Sequence, residues 1–136
     1  MIRKATAVWQ GTLKEGKGNL STESEILDET QYSYKTRFEN GNGTNPEELI
    51  GAAHSGCFTM QLSAFLAEQD FPAEKLETKS EVTFEDGAIS KSHLILTAKV
   101  PNISEEKFKE IATKAKESCP VSKLLDTEIT LDYTLN

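Results

Sequence analysis

The chain holds two cysteines, and any redox or nucleophilic chemistry starts from them. Cys57 lies in TNPEELIGAAHSGCFTM, residues 44–60, near the middle of what reads as a long helix. Cys119 is followed at once by Pro120, which disfavours the α region for the residue before it and suits the first position of a helix. Cys119 is therefore expected to cap a short helix, Pro120–Leu125, where free N–H groups and the helix dipole favour thiolate over thiol. Cys57, mid-helix, has no such help and needs a nearby cation to ionise. The two are spaced far wider than C-x-x-C, so any bond between them has to come from tertiary contact, which the sequence does not supply.

Residue types leave three readings open. Both thiols are buried and inert, the common fate of a free cysteine, and the protein is a non-catalytic structural dimer. Alternatively, one sulfur is oxidised to sulfenic acid and the other condenses with it. In the third reading, His54, three residues before Cys57 on a neighbouring helix face, joins Cys57 and Cys119 as a metal ligand. That set is one ligand short of a structural zinc site, and a hydrogen-bonded buried histidine is the simpler account of His54. Two further residues have ordinary explanations. Glu47 completes a capping box, Thr44-x-x-Glu47, and Arg37 falls on the polar face of an expected strand, where it would be solvated. His93, on another expected strand, has no constellation around it.

The elements that must position these groups follow from periodicity. Thr44 or Asn45 can cap the central helix, Pro46 suits its first position, and Glu47 and Glu48 complement the dipole. From Pro46 to Gln69 it would be about 36 Å long, and apolar on nearly all sides, the mark of a buried helix. Pro72 stops it. Before it, strands are expected within residues 3–13, at Asn19–Ser24 and at Tyr32–Phe38. After it, Leu76, Thr78, Ser80, Val82 and Phe84 alternate with a charged, solvated face. Glu85-Asp86-Gly87 then turns the chain into a longer strand, roughly Ala88–Val100, making a hairpin. Ser104 starts a second helix carrying Phe108, Ile111, Ala112, Ala115 and Cys119, and Ile129–Leu135 alternate as a last strand. The order βββ-α-ββ-α-β reads as α+β: an antiparallel sheet with two main helices.

Composition sets the outer bounds. A chain of 136 residues fits one domain, 1–136, but an apolar fraction of 37% is low, so the domain is thinly packed or shares its core with a second copy. A net charge of −7 argues against nucleic acid or an anionic membrane as partner. MIRKATAVWQ has no apolar signal-peptide core, and no run is long enough to span a bilayer, so a soluble, cytoplasmic protein with reduced thiols is expected.

Taken together, TNPEELIGAAHSGCF with CPVS at 119–122, ITLDY at 129–133, NLSTES at 19–24 and TRFE at 36–39 closely resembles the OsmC/Ohr family of thiol peroxidases, over essentially the whole chain. Arginine twenty positions before the first cysteine is similar to the OsmC (osmotically inducible protein C) branch. In the organic-hydroperoxide-resistance branch the arginine comes much earlier. The resemblance implies that Cys57 is the peroxidatic cysteine, Cys119 the resolving cysteine, Arg37 the arginine that holds the thiolate, and Glu47 the carboxylate that orients it. It implies an intertwined homodimer with the long helices at its centre, no cofactor, a hydroperoxide substrate, and reduction by a cellular dithiol or a lipoylated protein. Gly56 stands where close relatives are expected to carry alanine, and Phe58, Met60 and Phe71 are expected to line a mouth for an alkyl group. Ten residues of helix separate Glu47 from Cys57 by about 15 Å. If Arg37 reaches both, either the helix bends near Gly51 or the Arg and Glu come from the partner subunit.

Overall fold

Alternation in the first fifty residues builds a small sheet, and the computed structural model, which describes residues 1–136, divides the chain into units 1–49 and 50–136. In the first unit β1 (Ala5–Gln10), β2 (Lys17–Thr22) and β3 (Thr30–Tyr32) pair antiparallel in that order. Gly18 lets the rings of Trp9 and Tyr32 meet, 5.4 Å between centroids; an added Cβ there would sit 2.5 Å from an atom of each.

The expected third strand, Tyr32–Phe38, is corrected. Only its first residue belongs to a strand, Ser33 is an extended cap, and Tyr34–Phe38 forms a short helix, α1. The cause is local. Ser33 Oγ accepts from the Thr36 N–H (3.3 Å) and Thr36 Oγ1 accepts from the Ser33 N–H (2.8 Å), a reciprocal cap that outweighs the strand-like alternation. Arg37 therefore projects from the last turn of a helix, where a cation suits the dipole.

The long helix, α2 (Pro46–Glu68), starts as a capped helix should. Asn45 Oδ1 accepts from the Glu48 N–H at 2.8 Å, and the Thr44 hydroxyl donates to Glu48 Oε1 at 2.6 Å. The cap is thus shifted one residue from the expected Thr44–Glu47 box, leaving the Glu47 side chain for another partner. Asp70, at φ 64°, ends the helix: Phe71 N–H reaches Leu66 O (2.9 Å) and Asp70 N–H reaches Ala67 O (3.0 Å), a Schellman closure. The 23 residues are continuous through Gly51. Burial is one-sided, however: Gly51, His54, Phe58, Leu62 and Leu66 are covered, while Ala52, Ala53, Gly56, Met60, Ala64 and Ala67 are exposed.

In the second unit β4 (Lys75–Glu85) and β5 (Ala88–Lys99) form the expected hairpin. Asp86 and Gly87 both take positive φ (50° and 78°), the two-residue turn that matches strand twist. Ser104 caps α3 (Glu105–Ser118) through the Lys107 N–H, and α4 (Pro120–Leu124) follows across Cys119. β6 (Glu128–Leu135) then pairs parallel to β5, giving the order β4-β5-β6. The α+β class and the element order stand, with two corrections to the single antiparallel sheet. There are two three-stranded sheets, and β5–β6 is parallel because α3 and α4 carry the chain back over the sheet between them. Leu94, Leu96 and Ala98 of β5 meet Phe58, Leu62 and Leu66 of α2 and Phe108, Ile111, Ala112 and Ala115 of α3 in one core. No helix is long and apolar enough to cross a membrane.

An alanine Cβ at Gly51 would meet Val82 Cγ2 at 3.5 Å and Ser80 O at 3.6 Å, ordinary contact. Gly51→Ala is therefore expected to raise the unfolding free energy by about 1 kcal/mol through helix propensity alone, read by urea denaturation. A loss of stability would show that this helix position has no room for a methyl group.

Candidate active site

The second sulfur sits at the break between α3 and α4. Cys119 is both the last cap of α3 and the first of α4, with φ −56° and ψ 127°, outside the α region as the residue before a proline should be. Its side chain continues the buried face of α3 and is fully buried, and its Sγ lies 2.8 Å from Cys57 Sγ on α2. Two residues 62 apart in sequence are so brought into direct contact.

Cys57 is only partly buried. Its thiol is nevertheless pushed above the usual cysteine value, first by loss of water and then by the hydrogen bond with Cys119, while the backbone N–H of Val121 pulls the other way. The second unit on its own therefore favours the thiol over the thiolate. Val121 is the second residue of α4, so its N–H is one that the helix leaves free.

Beneath the sulfurs, His54 is completely buried. Its Nδ1 is 2.6 Å from Ser92 Oγ on β5 and its Nε2 is 2.8 Å from Ser122 Oγ on α4. Ser92 Oγ also lies 3.1 Å from Ser80 Oγ on β4. Both ring nitrogens are occupied by hydroxyls, and no group of three or more His, Cys, Asp or Glu comes together to hold a metal. The metal-ligand reading of His54, Cys57 and Cys119 is dropped; the hydrogen-bonded buried histidine is what the chain builds. His93 lies on the other face of β5, with Thr130 and Asp132.

In the first unit, Arg37 and Glu47 form an ion pair. Nε and Nη2 of Arg37 both donate to Glu47 Oε1, at 3.0 and 2.9 Å. The carboxylate side chain is 12% exposed and the guanidinium 38%, so the acid is largely covered while the cation still faces outward. Glu47 Oε2 is buried and has no hydrogen-bond partner. A single oxygen taking two N–H groups fixes the plane of the guanidinium. Beside it, Trp9, Leu13, Tyr34, Phe38 and Pro46 line a largely apolar cavity of about 280 Å³ that also borders Arg37.

Of the residues expected at a substrate mouth, Met60 is exposed and Phe71 half-buried against the core. Phe58 is corrected: it is fully buried under α2 and faces no opening. Ser92, Ser122 and the Val121 N–H join the site without having stood out in the sequence. Ser92 had a signal: it is a hydroxyl in the otherwise apolar row Leu94, Leu96, Ala98 of β5, and a polar residue in such a row needs a partner. Ser122 had none beyond its place three residues after Cys119.

The chain is similar to known proteins over most of its length. Residues 39–134 match the OsmC-like protein family. The chain is 47% identical over 137 aligned positions to the peroxiredoxin OsmC of Escherichia coli strain K12, covering 98% of this chain and 96% of that protein. It is 28% identical over 110 positions to the organic hydroperoxide resistance protein OhrB of Bacillus subtilis, covering 78% and 79%. The fold matches the structure of an OsmC-like protein of unknown function from Vibrio cholerae with a TM-score of 0.76, over 98% of this chain and 99% of that one, at 15% identity.

Burial holds the His54 imidazole below the usual histidine value of 6.5. The unfolded chain then binds more protons than the native one below that value, so stability falls as pH drops from 6.5 toward the lower native value. His54→Gln is expected to remove this share of the slope, measured as unfolding free energies in urea between about pH 7.5 and 5. An unchanged slope in the variant would mean that His54 titrates alike in both states.

Proposed function

The chain belongs to the OsmC-like protein family, and from that premise we propose a thiol peroxidase that reduces organic hydroperoxides and hydrogen peroxide through Cys57 and Cys119. The observation that carries the reading is the 2.8 Å approach of the two sulfurs, since peroxidase chemistry with two thiols needs them within bonding reach. The Cys57 thiolate attacks the distal peroxide oxygen, the O–O bond breaks, and the alkoxide or hydroxide that departs takes a proton from water to leave as an alcohol or water. Cys57 is then a sulfenic acid. Cys119 attacks its sulfur, its proton leaves with the hydroxyl as water, and a Cys57–Cys119 disulfide remains. An external dithiol, free or carried on a lipoylated protein, returns both to thiols by exchange.

Arg37 supplies the charge that Cys57 lacks. A guanidinium stabilises a thiolate without surrendering a proton to it, and Glu47 holds its plane. Glu47 and Cys57 are ten residues apart on a helix that continues through Gly51, a rise of about 15 Å. In this reading Arg37 and Glu47 of one protomer therefore serve Cys57 of the partner subunit. The exposed small-residue face of α2, Ala53, Gly56, Met60, Ala64 and Ala67, is the surface such a homodimer would cover. At Gly56 an added Cβ would meet no atom within 4 Å, so that face is open to close backbone approach. The whole chain acts as one domain in the cytoplasm.

Three substitutions test this by stopped-flow mixing of reduced protein with tert-butyl hydroperoxide. Cys57→Ser abolishes consumption, and Cys119→Ser allows one oxidation that ends in a dimedone-reactive sulfenate. Arg37→Met slows the first step by about 100-fold, as two pKa units of lost thiolate would. Full activity in Cys57→Ser would refute the reading.

A further inference from the structure

The two sulfurs are one of two rungs between α2 and α4. Three residues before Cys57 is His54, and three residues after Cys119 is Ser122; the pairs 57–119 and 54–122 each close at 2.8 Å. We propose that His54, held by Ser92 and holding Ser122, is a positioning residue for the resolving step, keeping Cys119 against the Cys57 sulfenic acid while the disulfide forms. This rests on the peroxidase reading of the same two cysteines.

Four observations support the assignment. The imidazole is fully buried, so the hydrogen bonds it makes there do not compete with water. Its far nitrogen is tied at 2.6 Å to Ser92 on β5, the central strand of its sheet, and Ser92 is in turn 3.1 Å from Ser80 on β4. The rung is therefore braced on the sheet and not on another short helix. Moreover, α4 is only five residues long and its cap residue, Cys119, makes no side-chain capping bond, so little inside the helix itself holds it in place. Finally, a neutral ring offers one donor and one acceptor, and hydroxyls accept or donate as required, so either tautomer satisfies both serines.

When peroxide converts Cys57 to the sulfenic acid, an oxygen enters beside Cys119. Condensation then forms the S–S bond, breaks the S–O bond, and releases water carrying the Cys119 proton. The rate depends on how long Cys119 stays in line with the Cys57 sulfur. Without the His54–Ser122 rung, α4 has more freedom, and the sulfenate survives long enough for a second peroxide to take it to sulfinic acid.

Ser122→Ala and His54→Gln test the assignment through two rates measured in the same protein. With tert-butyl hydroperoxide, conversion of the sulfenate to the disulfide is expected to slow by roughly five- to tenfold in each variant, the scale of one lost hydrogen bond, and by a larger factor than sulfenate formation, which feels α4 only through the Val121 N–H. Dimedone adducts, and sulfinic acid at excess peroxide, should rise in parallel by mass spectrometry. A second arm uses diamide, which drives the same disulfide without peroxide and should show the same slowing. Disulfide formation at the parental rate in folded Ser122→Ala, or an equal fall in both peroxide steps, would overturn the positioning role. If the parent protein ignores peroxide, the peroxidase reading fails, and the diamide arm still decides whether the rung positions Cys119.

Discussion

Everything at the site depends on a buried sulfur meeting another at a corner that only a proline enforces. α3 delivers Cys119 to the edge of the core along the buried row Phe108, Ile111, Ala112 and Ala115. Were the helix to continue, the residues after Cys119 would run on along the axis of α3. Pro120 forbids that, because its ring clashes with an α conformation at the residue before it. It then starts α4 with the φ angle a first helical residue needs. One residue thus ends one helix, begins the next and presents the Val121 N–H to Cys57.

The same burial that permits sulfur contact works against ionisation. Within its own unit Cys57 loses water, shares a hydrogen bond with Cys119, and gains in return a single backbone N–H. A thiol in that state is a poor nucleophile, since attack requires the thiolate. In the proposed reading the counter-charge is the guanidinium of the first unit, held on a mostly covered carboxylate. The two needs are complementary. A cation that cannot be deprotonated is the natural counter-charge for a thiolate that must not be reprotonated.

Periodicity revealed most of the fold. The Asp86-Gly87 hairpin, the Ser104 start of α3, the Cys119–Pro120 break and the long α2 were all legible, because each rests on local rules: turn residues, caps and the proline constraint. The miss at Tyr34–Phe38 was also local. YSYKTRF alternates like a strand, yet Ser33 and Thr36 three residues apart are a helix start, and the cap prevailed. The parallel pairing of β6 was hidden for a different reason: strand direction is fixed by the path of the crossover, which alternation does not encode. The site was legible in its parts. That the two sulfurs meet at all, and that Ser92 and Ser122 flank His54, are tertiary facts with no trace in spacing.

That parallel pairing also sets an order of events in a newly made chain. The β4–β5 hairpin closes from neighbouring residues through a two-residue turn, whereas β6 reaches β5 only after the whole α3–α4 excursion has folded back. Until then β5 presents a bare row of N–H and C=O groups, the kind of edge to which another unfinished chain adds. Cys119 lies inside the excursion that covers this edge. Proximity of the two thiols, 62 residues apart in sequence, thus belongs with the long-range contacts of the fold, whereas the hairpin needs only its neighbours.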